Sequence, residues 1–135
     1  MKVRILYLET SIFGFWADAT PVNREKRESV RTLLKQIRQG RFHGVVSAFV
    51  LRELRGWKGA QPLELLQAFS LDVVETDPDE VEGLAREYVR AGVLGPAHIE
   101  DMRHVAAATV LTVDVLVSLN LHHIANTWRV QGFNA

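Results

Sequence analysis

Short apolar segments rich in β-branched residues alternate along this chain with longer segments of helical periodicity. The apolar segments are residues 3–8, 44–46, 71–75 and 114–118. The intervening helical patterns begin at Thr20, Ser47, Pro62, Asp77 and Pro96. Strands this short and apolar are typical of buried parallel sheets, and parallel strands need a crossover connection. We therefore predict an α/β fold, a three-layer α/β/α domain with a short parallel central sheet.

Capping signals mark the ends of two of the predicted helices. Thr20 precedes Pro21 as a cap before a first-turn proline, and Gly40 ends this helix. Its apolar positions follow the i, i+3, i+4, i+7 pattern at Val30, Leu33, Leu34 and Ile37. Asp77 begins another helix, which Gly92 ends.

Length and composition limit the classes of protein that remain. The chain has 135 residues, so we expect residues 1–135 to form a single domain. It has no cysteine, which excludes disulfides, thiolate zinc sites and cysteine nucleophiles. The apolar run near the start is too short for a signal peptide or a membrane span. We expect a cytoplasmic protein that does not enter a membrane.

Acidic and polar residues follow the predicted strands or lie on the helices between them. Glu9 follows the first strand and Asn120 the last, so both should lie at the carboxyl edge of the sheet, where ligands bind. Helix capping is the alternative role for each. In the helix predicted over residues 47–57, Glu53 shares a face with apolar residues. Removing a carboxylate from water costs free energy, so Glu53 needs a cation, hydrogen bonds, protonation or a partner from another segment. Asp101 lies in the first turns of the last predicted helix, where the helix dipole also favours an acid.

These four residues form a set of oxygen ligands drawn from two strand ends and two helices. Carboxylates that lie a few ångströms apart repel each other, and a hard divalent cation offsets that repulsion. Such sets hold Mg²⁺ or Mn²⁺ and activate water for phosphodiester cleavage. The histidines are a weaker metal signal because none is paired at i, i+4 with another, and we interpret His104 as a packing or hydrogen-bonding residue.

Several enzyme classes lack their characteristic motif. The sequence has no GxxxxGK[ST] phosphate loop, no GxGxxG turn and no GxSxG elbow, which disfavours nucleotide kinases, Rossmann dehydrogenases and α/β-hydrolases. A sheet-based phosphohydrolase is a more distant alternative, because the first strand does not end in an Asp-x-Asp pair.

Basic and acidic residues are segregated along the chain. Residues 1–60 hold 12 basic and 5 acidic groups, net +7, whereas residues 61–135 hold 4 and 11, net −7. A basic surface suits a polyanion, and head-to-tail self-association is the alternative. The residues predicted to bind the phosphates of such a polyanion, all on the helix after Pro21, are Arg24, Arg27, Arg31 and Lys35. An ordinary solvated helix face would look the same.

Three aromatic residues, Phe13, Phe15 and Trp16, follow the first acidic position. They could stack on nucleic-acid bases or form a dimer interface, and we favour the interface.

Four segments resemble, in chain order, the motifs of the PIN-domain nucleases, and most of all those of VapC-type toxins from prokaryotic toxin–antitoxin pairs. Residues 7–14 (YLETSIFG) resemble the opening strand with its acid-Thr-Ser turn, and residues 47–54 (SAFVLREL) the helix with the second acid. Residues 100–108 (EDMRHVAAA) resemble the Asp-x-x-His-x-Ala-x-Ala helix, and residues 114–126 (DVLVSLNLHHIAN) the last strand and its polar turn. The resemblance covers nearly the whole chain.

The resemblance implies a PIN-like fold and a metal-dependent endoribonuclease that acts as the toxin of a type II toxin–antitoxin pair. The acids that would bind Mg²⁺ or Mn²⁺ are Glu9, Glu53 and Asp101. Asn120 would be the fourth catalytic position, and Ser11 and Ser118 would orient the ligands. The implied partners are an RNA substrate, a second copy in a homodimer and a small cognate antitoxin protein.

The first acid departs from the family pattern, which usually has aspartate where this chain has Glu9. Moving a carboxylate by about an ångström can cost on the order of 10²-fold in rate. A second function therefore stays open, that of a catalytically weakened PIN-fold protein that binds RNA or an antitoxin.

Overall fold

The computed structural model describes residues 2–56, 62–92 and 95–119. Four strands form one sheet in this part of the chain: β1 (Arg4–Leu8), β2 (Phe42–Ser47), β3 (Asp72–Val74) and β4 (Val115–Val117). All neighbouring strands are parallel, in the order β3-β2-β1-β4. The described helices are α1 (Ser11–Ala17), α2 (Arg24–Arg38), α3 (Ala48–Arg55), α4 (Pro62–Ala68), α5 (Pro78–Arg90) and α6 (Ile99–Val110). The predicted three-layer α/β/α fold is confirmed.

Helices cover both faces of the sheet, as the side chains of two neighbouring strands show. Leu6 of β1 pairs with Gly44 of β2, and Tyr7 pairs with Val45. On the Gly44 face, Ile37 of α2 approaches so closely that a Cβ atom at position 44 would lie 3.1 Å from it. On the opposite face, Tyr7 contacts α6. Because successive strand residues point to opposite faces, α2 and α6 form the two outer layers.

The order of the strands reverses beside β1. The chain runs from β1 to β2 to β3 in one direction across the sheet and then returns to place β4 on the other side of β1. The backbone N–H of Glu9 donates to the carbonyl oxygen of Val117 at 3.0 Å, which joins the ends of the two strands. In open parallel sheets such a reversal forms a crevice beyond the carboxyl ends of the strands.

Most predicted element boundaries lie within a few residues of those observed. Ser47 caps α3 by accepting from the Val50 N–H, and Asp77 caps α5 by accepting from the Asp79 N–H. Thr20 occupies the predicted N-cap position before Pro21, but the helix opens there with a 3₁₀ turn before α2, and the Thr20 hydroxyl donates to Asp18 and makes no capping hydrogen bond.

The aromatic residues of α1 contribute to the core, and no helix was predicted there. Phe13 is completely buried, so the expectation that it stacks on bases or forms an interface was wrong. Trp16 packs edge to face on Phe69, and Lys26 lies 5.0 Å from the centre of the Phe15 ring. No helix within the described ranges is both long enough and apolar enough to cross a membrane.

Candidate active site

Glu9 is held at the carboxyl end of β1 by residues that follow β4 and begin α1. The residue is only 7% exposed, and its Oε1 accepts from the Ser118 hydroxyl at 2.6 Å and from the Ser11 N–H at 3.1 Å. The Ser11 hydroxyl accepts in turn from the Leu119 N–H at 3.0 Å. The three predicted residues Glu9, Ser11 and Ser118 therefore meet in one place, which we call the Glu9 pocket.

Glu53 lies on α3 and contacts residues from two other elements. Its Oε1 accepts from the Thr10 hydroxyl at 2.8 Å and lies 2.8 Å from Nε2 of His104 on α6. Thr10 directly follows Glu9, so the two carboxylates approach the same turn of the chain. The interpretation of His104 as a hydrogen-bonding residue is confirmed.

The apolar face predicted around Glu53 does not enclose it, because its side chain is 41% exposed, whereas the hydrogen bonds and the partners from other segments that it was expected to need are present in Thr10 and His104. The buried face of α3 is formed instead by Val50 and Leu54. Glu53 directly precedes Leu54 and points to the side of that buried face, so it lies at the rim of the site.

A buried hydrogen-bond network continues from His104 into the core. The Tyr7 hydroxyl lies 2.8 Å from Nδ1 of His104 and 2.7 Å from the Ser47 hydroxyl. Tyr7 and Ser47 are both completely buried, and His104 is 3% exposed. We call Tyr7, Ser47, His104 and Glu53 the tyrosine–histidine chain.

The environment shifts the pKa values of two members of this chain. The hydrogen bond from His104 lowers the pKa of Glu53, which partial burial opposes and the Thr10 hydrogen bond reinforces. Burial raises the pKa of Tyr7, and the charges of Glu53 and Glu9 raise it further against the Ser47 hydrogen bond. At neutral pH Glu53 is ionised and Tyr7 keeps its proton. The negative charges of Glu9 and Glu53 therefore both disfavour ionisation of the Tyr7 hydroxyl.

The remaining predicted acid and amide are Asp101 and Asn120. Asp101 lies in the first turn of α6, one turn before His104, and its Oδ2 is 3.6 Å from Nδ1 of His98. Its side chain is 27% exposed. Asn120 lies outside the described residues. The structure thus brings Glu9 and Glu53 to one turn and leaves the contribution of Asp101 and Asn120 as a prediction.

The pair of carboxylates offers oxygen ligands to a cation. Within the described ranges, no group of three or more Asp, Glu or His side chains could hold a metal ion. Both described hydrogen bonds to each carboxylate converge on Oε1, and none from a described residue reaches Oε2 of Glu9 or Glu53. Mg²⁺ is often bound by one or two carboxylates, with water and substrate phosphates completing its shell. The chemistry of the Glu9 and Glu53 ligands fits this kind of coordination.

No protein-family model and no curated protein matches this chain. The likeness to PIN domains therefore depends on the four sequence segments described above.

The predicted RNA-binding residues form one stripe on α2, but they are not equivalent. Arg24, Arg31 and Lys35 are exposed. Arg27 is half-buried, and its guanidinium donates to the backbone oxygen of Asp18 at 2.8 Å, which ties α2 to the end of α1. Three of the four side chains therefore face solvent, where they can contact a polyanion.

A group of three arginines, two of them paired with glutamates, lies in the acidic half of the chain and was missed from the sequence. Arg86, Arg90 and Arg103 line a groove of about 430 Å³ between α5 and α6. Glu82 forms ion pairs with both Arg86 and Arg103. Net charge counted over whole segments conceals a local group of this kind.

Sequence reasoning also missed Tyr7, Thr10 and Ser47 as members of the site. One signal was present, since a tyrosine within an apolar strand needs a hydrogen-bond partner for its hydroxyl when it is buried. The identity of that partner depends on the packing of α6 against β1, which local sequence does not reveal.

Proposed function

We propose that this protein is a metal-dependent endoribonuclease of the PIN-domain type, acting as the toxin of a type II toxin–antitoxin pair. The observation that carries the proposal is the placement of two carboxylates, Glu9 and Glu53, at one turn beyond the carboxyl ends of parallel strands. The hydrogen bonds that described residues make to each carboxylate reach one oxygen only. This arrangement, where the strand order reverses, is suited to a ligand site.

In this proposal the chain's own residues bind and orient. Glu9 and Glu53 would hold Mg²⁺ or Mn²⁺, which when bound lowers the pKa of water and stabilises negative charge on a phosphodiester. Ser118 and the Ser11 N–H restrict the position of the Glu9 carboxylate, and His104 and Thr10 restrict that of Glu53. From the family resemblance, Asp101 is a further metal ligand and Asn120 the fourth catalytic position.

The exposed stripe on α2 would bind the RNA backbone. Phosphate contacts from arginine and lysine supply affinity that does not depend on sequence. The proposal includes a cytoplasmic location, a homodimer and a cognate antitoxin protein, all of which follow from the resemblance.

Cleavage of RNA by the purified protein tests the proposal. With Mn²⁺ added, the wild-type chain should cut RNA, and both Glu9→Gln and Asp101→Asn should lower the rate by at least about 10²-fold, because the altered ligand no longer carries its charge. Glu25→Gln, an acid on the exposed side of α2, is the matched control and should cleave normally. Cleavage that persists in EDTA and in both site variants would refute the proposal.

The alternative function, a weakened PIN-fold protein that acts by binding, is favoured by two observations. Glu9 is one methylene longer than the usual aspartate, and no group of three metal-binding side chains is found among the described residues. Glu9→Asp separates the two functions. A large gain in cleavage would support the weakened protein, whereas unchanged or lower cleavage by an active wild type would support a site adapted to glutamate.

A further inference from the structure

The tyrosine–histidine chain connects the central strand of the sheet to a carboxylate of the proposed site. Tyr7 is completely buried, so it cannot touch a substrate. Its hydroxyl nevertheless reaches Glu53 through a single intervening side chain, His104. Any role of Tyr7 in the site must therefore be exerted through the position of His104.

In the tyrosine–histidine chain, only one assignment of donors and acceptors gives every hydrogen a partner. Glu53 is ionised and can only accept, so Nε2 of His104 must donate to it. Ser47 already accepts from the Val50 N–H, and its own hydrogen can be donated to the Tyr7 oxygen. Tyr7 then donates to Nδ1 of His104, and every hydrogen has an acceptor.

The reverse direction leaves a buried hydrogen unpaired. If Nδ1 of His104 donated to Tyr7, the Tyr7 hydrogen would have to be donated to Ser47. The Ser47 hydrogen would then have no acceptor among the described hydrogen bonds, although Ser47 is completely buried. Unpaired buried donors are disfavoured, so the first direction is selected.

We propose that Tyr7 and Ser47 are positioning residues: they keep Nδ1 of His104 an acceptor and hold the ring, so that the Nε2–H that Glu53 requires is directed at Oε1 of Glu53. The opposite oxygen of Glu53 is then left to a ligand. The catalytic part of this inference rests on the proposed function, whereas the tautomer does not. Strand β1 would in this way set both carboxylates, Glu9 through the backbone and Glu53 through Tyr7.

A rigid chain is physically useful at this position. Glu53 is 41% exposed, and a glutamate side chain that is free to rotate must be ordered before it can bind a ligand. The imidazole of His104 is buried and held at both nitrogens, so it offers Glu53 a donor with a fixed direction.

Nitrogen-15 NMR of the histidine side chains tests the tautomer without any activity. In the wild-type protein, Nε2 of His104 should carry the hydrogen and Nδ1 should not. Tyr7→Phe removes the donor to Nδ1 and should shift the Nδ1 resonance downfield, towards that of a nitrogen that accepts no hydrogen bond, while Nε2 keeps its hydrogen against Glu53. Tyr88→Phe, which alters the only other tyrosine, is the matched control and should leave the wild-type pattern. A wild-type His104 protonated at Nδ1 would overturn the proposal and requires no variant.

Kinetics test the positioning role. In RNA cleavage, Tyr7→Phe should lower kcat about 10-fold or more and leave KM for RNA within about twofold, because the buried hydroxyl orients a ligand and does not bind substrate. A Tyr7→Phe protein that is folded and keeps the wild-type kcat would overturn the positioning role. If the wild type shows the Nε2–H tautomer but no cleavage, the proposed function fails and the tautomer assignment is supported.

Discussion

Replacing Ser118 by alanine measures how strongly the Glu9 pocket is held together. The Ser118 hydroxyl donates to Oε1 of Glu9 at 2.6 Å, within the short range expected for a hydroxyl bound to a carboxylate. A hydrogen bond to a charged group contributes about 1.5–3 kcal/mol, so we expect the free energy of unfolding to fall by about 2 kcal/mol. At about 2.1 cal/mol/K per residue, the 135-residue chain has an unfolding entropy of about 280 cal/mol/K. The melting temperature should therefore fall by about 7 °C.

Calorimetry and urea unfolding provide the assay, with Ser29→Ala on the exposed side of α2 as the control. A double-mutant cycle that combines Ser118→Ala with Glu9→Gln should show a coupling of at least about 0.5 kcal/mol, because the two side chains are in direct contact. If Ser118→Ala shifts the melting temperature no more than Ser29→Ala does, or if the cycle shows no coupling, the reasoning from this hydrogen bond is refuted.

Three further predictions concern packing, pH and RNA. Gly44→Ala would place a Cβ atom 2.5 Å from Cδ2 of Leu71 and should lower the free energy of unfolding by about 1–3 kcal/mol. In urea unfolding, adding Leu71→Ala to this variant should remove the clash, so that the double variant loses less stability than the two single variants lose together. A loss equal to the sum of the two single losses would contradict the clash. Because the pKa of Glu53 is lowered on folding, its ionised form contributes stability above the ordinary glutamate pKa, and this is lost as the pH falls through the folded value. Urea unfolding from pH 3 to 7 should show a weaker dependence on pH for Glu53→Gln, and an unchanged profile would count against the shift. Arg31→Ala should make the plot of the logarithm of the RNA association constant against the logarithm of the salt concentration less steep by about 1, and Arg90→Ala should leave this slope unchanged. Equal effects of the two substitutions would contradict a specific role for α2.

The fold could be predicted from the sequence because its periodicities are local. Short β-branched runs and capped amphipathic helices specify the element types, and right-handed parallel crossovers restrict how such elements can pack. Helix α1 was missed because Gly14 interrupts it and its aromatic residues do not form a simple i, i+3, i+4 stripe. Its burial depends on contacts with α2 and Phe69 that only the folded chain brings together.

The site could be predicted only where position along a strand determines location. The rule that strand ends share an edge was enough to place Glu9 beyond the carboxyl end of β1, whereas Ser118 was assigned only through the family resemblance. Glu53 was predicted to share a helix face with apolar residues, but its side chain is partly exposed, because the rotation of the short helix α3 about its axis is set by tertiary packing. The link from Tyr7 to Glu53 depends on the distance between α6 and β1, which no local pattern encodes.

Ser118 and Glu9 are 109 positions apart, and this separation has a consequence for synthesis of the protein. In a nascent chain, Glu9 is synthesised long before Ser118. At about 5–20 residues per second, about 5–20 s pass before Ser118 is added, and longer before it leaves the exit tunnel. During that interval Glu9 lacks the hydroxyl that holds it, so chains released early cannot form the pocket.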